Sequence, residues 1–219
     1  MQTLLKQVFL IILLSGVFVN QVFVFSQKFE GEILFAKETS IDTSFYAYKI
    51  KEDLIRVEFL DKKFQMINYS IINVSQKTIL AVNPNRKLYV EIPVHLWKSD
   101  KDSVNYKIIK SDNYQIIKGY KCFQWRVQNK KEDTEFSFWV CKDFYSLFSN
   151  YSKINNSSDK SNAYFLNITD TDGFFPMLIV ERSLLREMRM QSSVISIIKR
   201  SLPPSLFEIP ADYRLFQKN

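Results

Sequence analysis

Cys122-Phe123-Gln124-Trp125-Arg126-Val127-Gln128 and Glu135-Phe136-Ser137-Phe138-Trp139-Val140-Cys141 decide the fold class. Each stretch alternates and is rich in aromatic and β-branched side chains, and a polar turn separates them, which is the pattern of a β-hairpin. Pairing them so that opposed positions sum to 263 sets Phe123 against Val140, Trp125 against Phe138 and Val127 against Phe136 on one face. The other face then carries Cys122 opposite Cys141, Gln124 opposite Trp139, Arg126 opposite Ser137 and Gln128 opposite Glu135. A slip of one residue would turn all six apolar side chains to the wrong face. Directly opposed cysteines lie within disulfide reach at a non-hydrogen-bonded pair, so a structural Cys122–Cys141 disulfide is expected. A redox site is the sharper alternative, but the spacing is far from C-x-x-C. One histidine and two cysteines do not close a typical zinc site, so neither metal nor cofactor is expected.

The same reading extends outward. Glu30–Lys37, Ser44–Ile50, Leu54–Leu60, Phe64–Asn73, Thr78–Val82 and Lys87–Ile92 read as strands, as do Tyr106–Lys110, Tyr114–Ile117, Met177–Arg182 and Met188–Arg200. Turn signals fall between them; Pro84 in Asn83-Pro84-Asn85-Arg86 presets φ for a type I turn. The sequence therefore predicts a mainly β chain with a few short helices and an antiparallel sheet, open or rolled into a barrel. Asp143 is placed to cap a helix through Ser149, and Val94–Lys101 is a second helical candidate. Asn150 to Asn162 is rich in Ser and Asn and reads as a loop.

The N-terminus carries an address. Lys6 precedes the apolar run Val8–Val19, and Val24-Phe25-Ser26 suits cleavage before Gln27, the pattern of a secretory signal peptide over 1–26. An uncleaved anchor is the alternative, though Asn20 and Gln21 interrupt the run before about 20 apolar residues accumulate. No cysteine lies near the cut, so no lipobox-type anchor is expected. One domain is expected over 27–219. Losing Lys6 lowers the formal charge from +7 to +6. The basic residues are scattered among acidic ones, which fits a solvated surface and leaves weak attraction to anionic headgroups open; nucleic acid is not expected as a partner. Four glycines in 219 residues exclude Gly-rich phosphate loops.

Candidate chemistry is thin. His95, the single histidine, has no G-x-S-x-G nucleophile elbow to serve, and it reads as a surface or packing residue. The acidic pairs Glu30/Glu32 and Asp170/Asp172 read as an exposed strand face and a turn before Gly173 rather than as glycosidase or calcium ligands. No catalytic residue is assigned, and no enzyme is expected. The aromatic residues Tyr46, Tyr48, Phe123, Trp125, Phe136 and Phe138 are the ligand-binding candidates: on a curved sheet they would line an aromatic concavity, and on a flat one they are packed core.

Three motifs carry a resemblance: Ile116-Ile117-Lys118-Gly119-Tyr120-Lys121-Cys122, Phe138-Trp139-Val140-Cys141-Lys142-Asp143, and Ser201-Leu202-Pro203-Pro204-Ser205-Leu206-Phe207-Glu208-Ile209-Pro210-Ala211-Asp212-Tyr213. Together they resemble a secreted bacterial family of unknown function whose fold is similar to the lipoprotein carrier LolA and the lipid carrier LppX. The usual glycine of the terminal F-x-I-P-x-G-Y pattern is Asp212 here. The resemblance implies a LolA-like half-barrel with helices and loops over an apolar concave face, a periplasmic or secreted location, and a lipid or other apolar ligand. An envelope protein partner, met by a structural or interaction module with a packed aromatic core, is the alternative.

Overall fold

The computed structural model describes residues 29–96, 106–142, 148–155 and 159–216. The proposed signal segment lies outside them, as does most of the Val94–Lys101 candidate, whose described part is not helical.

Twelve strands form one sheet. They are β1 (Gly31–Thr39), β2 (Thr43–Lys51), β3 (Leu54–Leu60), β4 (Met66–Asn73), β5 (Thr78–Asn83), β6 (Leu88–Glu91), β7 (Tyr106–Ile117), β8 (Tyr120–Asn129), β9 (Thr134–Lys142), β10 (Phe174–Arg182), β11 (Met188–Lys199) and β12 (Arg214–Leu215). The order across the sheet is β12-β6-β5-β4-β3-β2-β1-β11-β10-β9-β8-β7, so two meanders meet at the β1–β11 pair. All pairs are antiparallel except β12 on β6. The outermost strands do not pair with each other, and the sheet stays open.

The expected register of β8 and β9 is the observed one, with Phe123 opposite Val140 and Val127 opposite Phe136. Tyr106–Lys110 and Tyr114–Ile117 are one strand, interrupted by a bulge. Asn83–Arg86 tightens into a 3-10 turn in which Asn83 Oδ1 accepts the Arg86 amide. Gly31 has to be glycine: at φ +150° a Cβ would collide with the Ile198 carbonyl oxygen.

Two expectations are corrected. The Asn150–Asn162 segment is not a loop, since it contributes to two helices, α1 (Phe148–Ile154) and α2 (Lys160–Leu166). Tyr151, Ile154, Tyr164, Phe165 and Leu166 bury against the sheet, and Asp159 caps α2 by accepting the Ser161 amide. Tertiary burial overrides the polar composition. Residues 143–147 of the other helical candidate lie outside the described set; α1 begins at Phe148.

The second correction concerns the cysteines, which form no disulfide. Cys122 and Cys141 are both buried free thiols. Each donates to a main-chain carbonyl, Cys122 to Tyr120 at 3.4 Å and Cys141 to Phe175 at 3.6 Å. The register brings the pair together as expected, and each thiol donates to a carbonyl instead of bonding to its partner. Proximity in register is necessary for a disulfide and does not by itself make one.

Residues 201–216 strap the outer face. Lys51 Nζ donates to the Leu202 carbonyl, Glu30 accepts the Leu202 amide, and Arg56 donates to the Leu206 carbonyl. Ile209 and Tyr213 pack on the outer cluster Tyr69, Ile71 and Val82. Asp212, standing where the resembled pattern has glycine, pairs with Lys87 at 2.7 Å.

Candidate functional site: a hollow under two helices

The inner face of β2–β5 is laid down by pairing alone. Ile50 faces Ile55, Ile55 faces Ile72 and Ile72 faces Ile79, giving a ladder of four isoleucines. Beside it run Ile33, Tyr48, Val57 and Ser70 in the next row. Branched and aromatic residues on one face of antiparallel strands need a cover, and α1 and α2 supply it. They fit closely over β9 and β10: Phe165 meets Phe138 edge-on at 5.3 Å, Tyr164 meets Phe136 at 4.6 Å, and Phe148 meets Phe175 at 5.3 Å. Over β1–β5 they do not reach the floor, and a hollow of about 300 Å³ remains.

Ile79 on β5 and Phe175 on β10 both line this hollow. Six strand spacings separate them, roughly 29 Å in a flat sheet at about 4.8 Å per strand. The sheet therefore curls around the space.

One end of the hollow is aliphatic, built on the isoleucine ladder. The other is polar, where Tyr46, Tyr48, Tyr151 and Asn155 gather below an ion pair between Lys37 and Asp159 at 2.7 Å. Asn155 Nδ2 donates to the Tyr151 hydroxyl at 2.7 Å. Burial pushes the Tyr151 phenol up to about 12 and raises Tyr48 well above the usual tyrosine value. Both hydroxyls therefore stay neutral and act as hydrogen-bonding groups. Tyr48 keeps some bare surface because it borders the hollow.

Of the six aromatic candidates, Tyr46 and Tyr48 lie on the wall of the hollow. Phe136 and Phe138 are fully buried beneath α2, and Trp125 packs on Phe174 at 4.6 Å. Phe123 sits toward the sheet border with Tyr114 and Lys121. His95 is exposed and outside the hollow. Asp172 accepts from Ser149, and Asp170 has a left-handed φ of 54°, as a turn residue does. Among the described residues no group of three His, Cys, Asp or Glu is placed to hold a metal. The wall residues that sequence reasoning missed include the isoleucines, Lys37, Tyr151, Asn155 and Asp159. The period-2 placement of isoleucine in β2–β5 was the signal for the first group.

Solved structures share the fold at very low identity. An uncharacterized conserved protein from Thermus thermophilus is 10% identical, with a TM-score of 0.50 over 86% of this chain and 91% of that one. The MucA/MucB complex of Pseudomonas aeruginosa matches at 8% identity and a TM-score of 0.51, over 88% of this chain and 60% of that one. A putative outer membrane lipoprotein-sorting protein domain from Vibrio parahaemolyticus matches at 8% identity over 81% and 87%, with a TM-score of 0.32, too low to carry an argument. No curated protein matches the sequence. The model of a family described as a domain of unknown function, DUF4412, matches residues 29–213, and the chain belongs to that family.

Proposed function

We propose that the protein is a non-enzymatic component of the bacterial envelope that shelters an apolar ligand, a lipid or acyl chain, between the isoleucine ladder and α1–α2. The carrying observation is the hollow of about 300 Å³, at the lower end of the roughly 300–1,000 Å³ usual for ligand sites. Interiors elsewhere pack to crystal density. An apolar guest on the isoleucine ladder would release water and bury apolar surface worth about 25 cal/mol per Å². The polar end supplies neutral hydroxyls, an amide and an already neutralised ion pair, which suits orienting a headgroup better than cleaving a bond. The leader-like segment over 1–26 supports export.

Native mass spectrometry of the exported form, beginning at Gln27, tests the reading. The expected result is a lipid-sized adduct that organic extraction releases and that Ser70→Trp, which fills the hollow, prevents. A ligand-free wild-type protein that also fails to take up a fluorescent fatty acid would overturn it. The second reading is a protein-binding module, favoured by the MucB match having been solved with MucA; recovery of a stable protein partner without lipid would support it.

A further inference from the structure

Because neighbouring strands alternate in direction, five turns gather at one end of the sheet. In spatial order they are residues 84–87, 61–65, 40–42, 183–187 and 130–133. The two most exposed large apolar side chains among the described residues are here on adjacent turns: Ile41, 94% exposed, and Leu185, 84% exposed. Phe64, in the next turn, is 52% exposed. Its left-handed φ of 60° is an uncommon conformation for a bulky residue. The Asp61 carboxylate holds that turn by accepting the Lys63 and Gln65 amides, and Phe45 supports the Phe64 ring at 4.7 Å.

Cations are interleaved with these tips. Lys63, Arg86, Lys130 and Lys131 are exposed and form no ion pair among the described residues. The carboxylates at this end are mostly engaged: Asp42 by Lys62, Glu132 by Lys160 and Asp133 by Arg189, with Asp61 tied to its own turn and Glu38 and Glu187 left over. The turns at the opposite end balance Glu52 and Asp53 against Lys77 and Lys118.

We propose that these five turns form a docking rim for an anionic lipid bilayer. Ile41, Phe64 and Leu185 enter the interfacial layer, and the four free cations meet the headgroups. A protein interface would gather its apolar side chains into a charge-depleted core. Here they stand singly on separate turns with lysines between them, the arrangement that anionic lipid surfaces reward. The hollow is oriented to match. Its polar end, at Lys37 and Asp159, lies on the rim side, two residues before the end of β1, whereas the ladder residues Ile50, Ile55 and Ile72 lie toward the opposite turns. Docking of this rim does not depend on the hollow being filled.

Vesicle co-sedimentation of the form beginning at Gln27, which retains every described residue, tests the proposal. Wild type is expected to bind vesicles of equal parts phosphatidylglycerol and phosphatidylcholine, to ignore pure phosphatidylcholine, and to be released by high salt. Lys63→Glu, Lys130→Glu and Lys131→Glu together should weaken binding on the order of 100-fold or more. Ile41→Asp with Leu185→Asp, at positions exposed enough to leave the fold intact, should abolish it. Lys77→Glu with Lys118→Glu at the other end should leave it within about threefold of wild type, since long-range charge is screened. Three outcomes would overturn the proposal: no vesicle binding, equal loss from both ends of the sheet, or self-association through these turns in place of lipid binding.

Discussion

Lys37 and Asp159 tie the end of β1 to the start of α2 across 122 positions, and the Asp159 carboxylate also accepts the amide that opens the helix. One side chain thus caps the cover and fastens it. Asp159→Ala removes both roles and is expected to cost about 1 kcal/mol, within the usual range for an N-cap. Lys37→Ala removes only a part-exposed ion pair and should cost less. Hydrogen exchange should rise across 160–166 in the first variant and change little elsewhere.

Phe138 separates packing from ligand contact. It is fully buried between Phe136 and Phe165 and does not border the hollow. Phe138→Ala is expected to lower stability by about 3–5 kcal/mol, read as a drop in denaturation midpoint.

Glu58 is nearly buried on the outer face, between Lys49 and Arg56 at 2.8 Å each. Arg56 also lies 3.5 Å over the Tyr69 ring. Glu58→Gln leaves a buried guanidinium short of its countercharge and should cost on the order of 3–5 kcal/mol, whereas Arg56→Met with Glu58→Leu should cost far less. A double-mutant cycle by denaturant titration measures the difference.

Acid should loosen the C-terminal strap. The Lys51 ammonium first, and then the Leu202 amide, hold Glu30 below the usual carboxylate value, which is about 4.3. A carboxylate whose folded value is depressed stabilises above its unfolded value, and that contribution disappears as pH falls through the folded one. Limited proteolysis between residues 200 and 216 should therefore accelerate below about pH 4, and Glu30→Gln should be cut readily at neutral pH as well.

Cys122 and Cys141 should behave as two protected thiols. A small alkylating reagent is expected to leave the native protein unmodified and to label both after denaturation. The neighbouring Cys122 thiol and burial both push Cys141 up, which keeps it in the unreactive thiol form while the fold is intact.

Much of the architecture was legible because strand pairing is a local periodic code. The β8–β9 register followed from where Phe136, Phe138 and Val140 fall, and the isoleucine ladder obeys the same rule. The helices were not legible. Short pieces built from Ser, Asn and Tyr have little intrinsic helicity, and α1 and α2 exist because Tyr151, Tyr164 and Phe165 find an aromatic floor. The position of the hollow was hidden for the same reason. Tyr48 and Phe138 look alike in a strand; one is left partly bare and the other sealed by where a short helix lands. The thiols mark another limit, since alignment brings two sulfurs together without deciding whether they bond.

The centre of the sheet is a seam between distant parts of the chain: β1 pairs with β11, and Glu30 reaches Leu202 across 172 positions. Contacts of that span are slow to form. The hollow gains its curvature only when the final strands pair, and a chain shortened into β11 would lose the seam together with the part of the wall that Ser192 supplies.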